Sequence, residues 1–201
     1  KLKGKKAVVT GANRSIGQAI AVAFAREGAD VVISYRSDEK GANSTVQMIQ
    51  ELKQDAWAVA ADFSTETGIR DFHENSLKRL GRIDILVNNA AEYDTASFLD
   101  LEFKTFHSLL NVGVMTPMLL TQLTTQQMKE RNLAGSIINV SSISGLMPYL
   151  GRVAHGTAKA GLNMLTKNTA IELAKYRIRV NAILPGATPY GEEAGRVCEN
   201  V

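Results

Sequence analysis

The sequence predicts an α/β fold: a single domain built on a doubly wound parallel sheet with helices on both faces. Three observations lead there. Short β-rich runs alternate with longer helical patterns from residue 6 to residue 183. Most of those runs are continuously apolar rather than alternating, as in strands covered on both faces. No linker, repeat or low-complexity tract divides the 201 residues. Parallel neighbours need a crossover connection, and a helix is the regular way to make one.

In chain order, the first strand is expected in "KAVVT" at 6 to 10, followed by a helix over 16 to 27. "DVVISY" at 30 to 35 and a helix over 38 to 54 form the second unit, and "AWAVAA" at 56 to 61 with a helix over 66 to 80 the third. "IDILVN" at 83 to 88 precedes a long helical pattern from 102 to 131. "SIINVS" at 136 to 141, a helix over 155 to 175 and "IRVNAI" at 178 to 183 complete the series. In such sheets ligands bind beyond the carboxyl ends of the strands, near the point where strand order reverses. Functional residues are therefore sought directly after strands.

Bulk properties narrow the function. With 45% hydrophobic, 21% charged and 6% aromatic residues, the chain has the profile of a globular domain with a sizeable core. The net charge of +3 is mild and the basic residues are scattered, which argues against nucleic acid as a partner. A lone cysteine, Cys198, allows no internal disulfide and no metal-ligand spacing. It fits a reducing compartment, so a cytoplasmic location and no bound metal are expected. The apolar run "AIAVAFA" at 19 to 25 is too short to span a bilayer, and neither a membrane anchor nor an export signal is expected. The chain opens on lysine, so the first residues of the gene product are expected to be absent.

"TGANRSIGQAI" at 10 to 20 follows the first strand. Gly11 and Gly17 bracket a turn through Asn13, Arg14, Ser15 and Ile16 into a helix, so backbone N–H groups and the helix N-terminus would face a phosphate pair. An ordinary strand-to-helix turn has a similar look, and Ser15 stands where a three-glycine fingerprint has its middle glycine. At the end of the second strand NAD-binding chains carry an acid for the ribose 2′-hydroxyl. Here the residues are Tyr35 and Arg36. Arg36 and Arg14 suit a 2′-phosphate, because guanidinium groups make charge-assisted contacts with phosphate oxygens. The expected cofactor is NADP(H), with NAD(H) as the alternative. Asp62 and Phe63 follow the third strand; the aspartate can accept from an adenine amino group or cap a helix. Asn88, Asn89 and Ala90 follow the fourth, where side-chain amides can fix a loop while the backbone meets the cofactor.

With "NNAA" at 88 to 91, "NVGV" at 111 to 114, "NVSSISG" at 139 to 145, "HGTAK" at 155 to 159 and "NAILPG" at 181 to 186, the chain resembles the short-chain dehydrogenase/reductase family. It is most similar to the bacterial glucose dehydrogenase and 3-oxoacyl-thioester reductase groups. The resemblance implies a Rossmann-type NAD(P)-binding domain over 1 to 201 and hydride exchange between nicotinamide and a small carbonyl or secondary alcohol. It implies that Asn111 holds a water and a helix kink, Ser142 hydrogen-bonds the substrate oxygen, a tyrosine is the acid/base, and Lys159 lowers that tyrosine's pKa while binding the nicotinamide ribose. It implies cofactor contacts from Pro185, Gly186 and Thr188, then a further helix and strand that are expected to be missing here. A homo-oligomer, tetramer or dimer, is implied through the helices at 102 to 131 and 155 to 175, although core packing accounts for the same apolar positions.

One position departs from the pattern. Thirteen residues after Ser142 and four before Lys159, the place of the tyrosine is taken by His155. Imidazole beside a lysine ammonium is biased towards neutrality by like-charge repulsion, and its nitrogen reaches less far than a phenol oxygen. The expected cost is on the order of 10² to 10⁴ in rate, with cofactor binding kept. Two functions stay open: an active oxidoreductase, or an impaired member that binds NADP(H) as a sensor or assembly partner. Tyr149, ten residues before Lys159, does not share its helical face. His73 and His107 are expected to be incidental helical residues.

Overall fold

A computed structural model describes residues 1–188. Six strands form one all-parallel sheet: β1 (Lys6–Val9), β2 (Asp30–Tyr35), β3 (Ala56–Ala60), β4 (Ile85–Asn88), β5 (Gly135–Val140) and β6 (Ile178–Ile183). Their spatial order is β3-β2-β1-β4-β5-β6, so the order reverses between β1 and β4. The intervening helices are α1 (Ser15–Arg26), α2 (Glu39–Glu51), α3 (Glu66–Leu80), α4 (Phe103–Leu110), α5 (Thr116–Glu130) and α6 (Val153–Leu173).

The apolar strands split their side chains between two cores, as the two-residue period requires. Val8, Val32, Leu86 and Ile137 face Phe72 of α3 and Leu120 and Met128 of α5, and Ala170 and Leu173 of α6 pack against the same cluster. Ala7, Val9, Val31, Ile33 and Val87 face Ala21 and Ala25 of α1 and Ala42 and Ile49 of α2. With apolar partners on both sides, a strand has no polar face to show, which is why its sequence does not alternate.

The predicted elements recur with boundaries moved by at most three residues, save in one place. The long pattern from 102 to 131 is a helix interrupted by a π-helical turn over Asn111–Met115. Such turns insert an extra residue into the hydrogen-bond ladder and recur at functional sites. Here the turn joins α4, which packs against α6, to α5, which packs on β4 and β5, while Gly113 lies against α6, where an added Cβ would come 3.0 Å from that of Ala158. Among the described residues no helix is long and apolar enough to cross a membrane.

Candidate active site

The reversal of strand order leaves a crevice above the carboxyl ends of β1 and β4, and its floor is tightly stitched. Thr10 Oγ1 accepts from the backbone N–H groups of Asn89 and Ala90, both at 2.9 Å. Asn89 Nδ2 donates to the carbonyls of Thr10 and Gly11, each at 2.9 Å. Gly11 N–H in turn donates to Ser34 Oγ of β2 at 2.9 Å. The glycine turn is thus held from both neighbouring strands.

Two positions in this turn show why small residues are needed. Gly11 has φ +61°, in the left-handed region. Gly17 is buried where a Cβ would lie 2.5 Å from Asn89 Nδ2 and from the Gly11 carbonyl, so only glycine lets α1 start this close to the strands. Ser15 takes φ +53°, a conformation that disfavours any side chain, which explains why a glycine is the easier residue there.

The cleft built on this floor has a volume of about 930 Å³, and its lining includes both Asp62 and Tyr93. Gly11, Asn13, Arg14, Ser15, Ile16, Gly17, Tyr35, Arg36, Asp62, Phe63, Asn89 and Ala90 all line it, so the structure gathers these expected residues in one place. Its size and the glycine turn with the start of α1 on its floor fit a dinucleotide. Asp62 is not the cap of α3. Its carboxylate accepts from Ser64 N–H at 2.9 Å, which holds it below the usual carboxylate range, while Thr65 caps the helix by accepting from Gly68 N–H at 3.1 Å.

Asn88 is not brought to the cleft. Its side chain is buried between β4 and β5, donating to Asn139 Oδ1 at 2.8 Å and to Thr121 Oγ1 at 3.3 Å. Side chains of consecutive strand residues point to opposite sides, so only one of the two asparagines can face the glycine turn. Pro185, Gly186 and Thr188 also lie outside the cleft lining. The Pro185 carbonyl accepts from Ile143 N–H at 3.2 Å, and Thr188 Oγ1 donates to the Gly186 carbonyl at 3.4 Å. Cys198 lies outside the described residues.

Asn111, Ser142, His155 and Lys159, the residues of the expected reacting centre, do not line the cleft; His155 adjoins it through Tyr93. Asn111 opens the π turn, and its Nδ2 donates to the carbonyls of Phe63 and Ser64 at 3.1 and 2.9 Å, pinning the kink to the exit of β3. Ser142 follows β5 and caps a short 3-10 turn, its Oγ accepting from Ser144 N–H at 3.1 Å. That turn packs directly on α6, where Gly145 faces the Lys159 backbone and Gly156 faces the Ser144 carbonyl. Ser142 is thereby set over the helix that carries His155 and Lys159. The small residues of α6 serve this close approach within the chain.

Both α6 groups are buried. Lys159 is 5% exposed and donates from Nζ to the Val140 carbonyl at 2.7 Å; burial lowers its pKa to about 8. His155 is 9% exposed. Burial first, and then the Lys159 charge, hold it below the ordinary imidazole value; the Glu92 backbone opposes this, and the Arg152 charge adds to it. At neutral pH the imidazole is uncharged, with one ring nitrogen a donor and the other an acceptor.

Sequence reasoning missed the cover over this centre. The Tyr93 ring stands edge-on to His155 with centroids 5.4 Å apart, and the Arg152 guanidinium lies over the Tyr93 ring, 3.9 Å from its centroid. Glu92 was missed as well: its Oε1 accepts from Arg36 Nη1 at 2.5 Å and its Oε2 from Ser108 Oγ. Both residues follow "NNAA" directly, which is the one signal that marked the loop. Asp38 is a further omission; it lines the cleft, accepts from Asn13 Nδ2 and Gly41 N–H, and caps α2. Tyr149 is half-exposed in the loop before α6.

Comparison with known proteins agrees with this geometry. Residues 5–193 match the profile of the family described as short chain dehydrogenase. Glucose 1-dehydrogenase 2 of Bacillus subtilis is 34% identical over 186 residues, covering 92% of this chain and 72% of the relative. A crystal structure of NAD+-bound xylitol dehydrogenase superposes with TM-score 0.90 at 30% identity, over 99% of this chain and 76% of that one. A short chain dehydrogenase from Burkholderia cenocepacia J2315 in complex with NADP gives TM-score 0.88 at 32% identity, over 97% and 81%.

Proposed function

Because this chain belongs to the short chain dehydrogenase family, we propose that it is an NADP(H)-dependent oxidoreductase acting on a carbonyl or secondary alcohol of a small molecule. The observations that carry the reading are the glycine turn lining the cleft at the carboxyl end of β1, Lys159 Nζ reaching the carboxyl end of β5 through the Val140 carbonyl, and His155 lying against Tyr93, which lines the same cleft. When bound, the nicotinamide supplies or accepts the hydride.

The chain's own residues have separate tasks. Backbone N–H groups from Asn13 to Gly17 meet the pyrophosphate at the start of α1, where the helix dipole favours negative charge. Arg14 and Arg36 take the 2′-phosphate. Asp62 and Phe63 border the adenine. Ala90 contacts the ribose, Lys159 holds the nicotinamide ribose through donors left after the Val140 bond, and the Pro185–Thr188 stretch holds the carboxamide. Asn111 braces the π turn and the water expected there. Ser142 donates to the substrate oxygen, and His155 exchanges a proton at that oxygen as a neutral acid/base. The two relatives named with a bound cofactor carry one of each kind, NAD+ and NADP, so the 2′-phosphate preference rests on the two arginines. Sugars and polyols are the first substrates to try, since the relatives named act on glucose and xylitol.

One observation favours a second reading, an impaired member that binds NADP(H) without turnover: the Tyr93 ring covers a histidine standing where the family has its tyrosine. Calorimetry with NADP+ and NAD+, joined to a turnover assay on sugars, polyols and simple ketones before and after His155→Tyr, separates the two. Turnover in the wild-type chain supports the oxidoreductase. Cofactor binding with turnover only in the variant supports the impaired member, and absence of cofactor binding overturns both. A cytoplasmic location and a homo-oligomer accompany the proposal; exposed Phe103, Met115, Met164 and Ile171 on α4, the π turn and α6 offer apolar surface for a second copy.

A further inference from the structure

Arg36 is the side chain best placed to read a 2′-phosphate, yet it already has an anion. Its Nη1 lies 2.5 Å from Glu92 Oε1. The two partners come from different strands: Arg36 follows β2 and Glu92 follows β4, with β1 and its glycine turn between them. The pair therefore reaches across the mouth of the turn, and both residues line the cleft. The partners are unequal. The Glu92 side chain is only 22% exposed and is anchored by Ser108 Oγ of α4, whereas that of Arg36 is 70% exposed and has Glu92 as its one ion-pair partner among the described residues. An anchored, largely buried carboxylate thus holds an exposed guanidinium.

We propose that Glu92 is a cofactor-specificity residue whose carboxylate competes with the cofactor's 2′-phosphate for Arg36. The inference rests on the NADP(H) reading above. A 2′-phosphate offers up to two negative charges and three acceptor oxygens, and it displaces one carboxylate from a guanidinium. A 2′-hydroxyl offers no charge and leaves the ion pair in place. The structure thus lowers affinity for the phosphorylated cofactor by the strength of an exposed ion pair, which is modest.

The test is direct binding, with no turnover required. Calorimetric dissociation constants for NADP+, NAD+, adenosine 2′-monophosphate and adenosine 5′-monophosphate are compared in the wild-type chain, Glu92→Gln, Arg36→Ala and the double variant. Glu92→Gln is expected to tighten NADP+ and the 2′-monophosphate about three- to fivefold, and to change NAD+ and the 5′-monophosphate less than twofold. In the Arg36→Ala background the same change has no effect. Equal tightening of NAD+ and NADP+, or no tightening of either, overturns the competition. If Arg36→Ala itself leaves NADP+ affinity unchanged, it is the assignment of Arg36 to the 2′-phosphate that fails, which is a different result from a neutral Glu92→Gln in a chain where Arg36→Ala weakens binding.

Discussion

The Tyr93 ring meets the imidazole of His155 edge-on, at 64° and 5.4 Å between centroids. Tyr93 comes from the loop after β4 and His155 from the first turn of α6, so two distant segments close over one titratable group. Burial is the largest cause of the lowered pKa of His155, and Tyr93 supplies part of that burial.

Removing the cover should therefore be visible in a titration. In Tyr93→Ala the imidazole gains water and its pKa rises towards the ordinary histidine value. Proton NMR of the His155 ring resonances against pH measures this. An unmoved midpoint would show that the burial comes from elsewhere.

His155→Tyr should raise turnover by about 10² to 10⁴, the range ascribed to a positioned acid/base, while the NADP+ dissociation constant stays within about twofold. Single-turnover hydride transfer in each protein is the measurement. A variant no faster than the wild-type chain would mean that the histidine already performs the proton transfer.

Lys159 trades stability for function. Its folded pKa of about 8 lies below the ordinary lysine value of 10.5, so between these values the unfolded chain binds more protons and stability rises with pH. Below pH 8 the cost of burying the charge is present in full. Lys159→Met should add about 1 to 3 kcal/mol at pH 7, with a gain that shrinks as the pH climbs from 8 to 10.5, while cofactor affinity falls. Urea melts at pH 7 and pH 10 test the sign.

Gly17→Ala forces a methyl group to within 2.5 Å of Asn89 Nδ2 and the Gly11 carbonyl. The turn has to shift, with a loss of about 2 kcal/mol or more and of measurable NADP+ binding. Thermal denaturation and calorimetry report the two effects. A normally binding variant would place the pyrophosphate somewhere other than this turn.

Asn111→Ala removes both ties from the π turn to the Phe63 and Ser64 carbonyls. The expected loss is about 1 to 3 kcal/mol, with faster amide exchange confined to the π turn and the β3 exit. Uniformly faster exchange across the sheet would contradict a local bracing role.

How much of this was legible beforehand follows from the range of the interactions involved. The six strands, the parallel sheet, the glycine turn and the shared helical face of His155 and Lys159 could be read from the sequence, whereas Ser142 was singled out by the family resemblance. The former depend on local period, on residues next to a strand end, or on helical spacing, and those are properties of short segments. The π turn was less accessible, because its hydrogen-bond shift is stabilised by the Phe63 and Ser64 carbonyls some fifty positions away.

Tertiary structure alone decided three things. Asn88 turned inward to Asn139, since pairing of β4 with β5 fixes which face each asparagine shows. Arg36 found Glu92, and His155 came under Tyr93 and Arg152, because the loop after β4 runs back over the strand ends. Residue type and spacing determine which groups a chain can bring to its rim; the path of an irregular loop, held by contacts distant in sequence, determines which of them face the ligand and which are already engaged with one another.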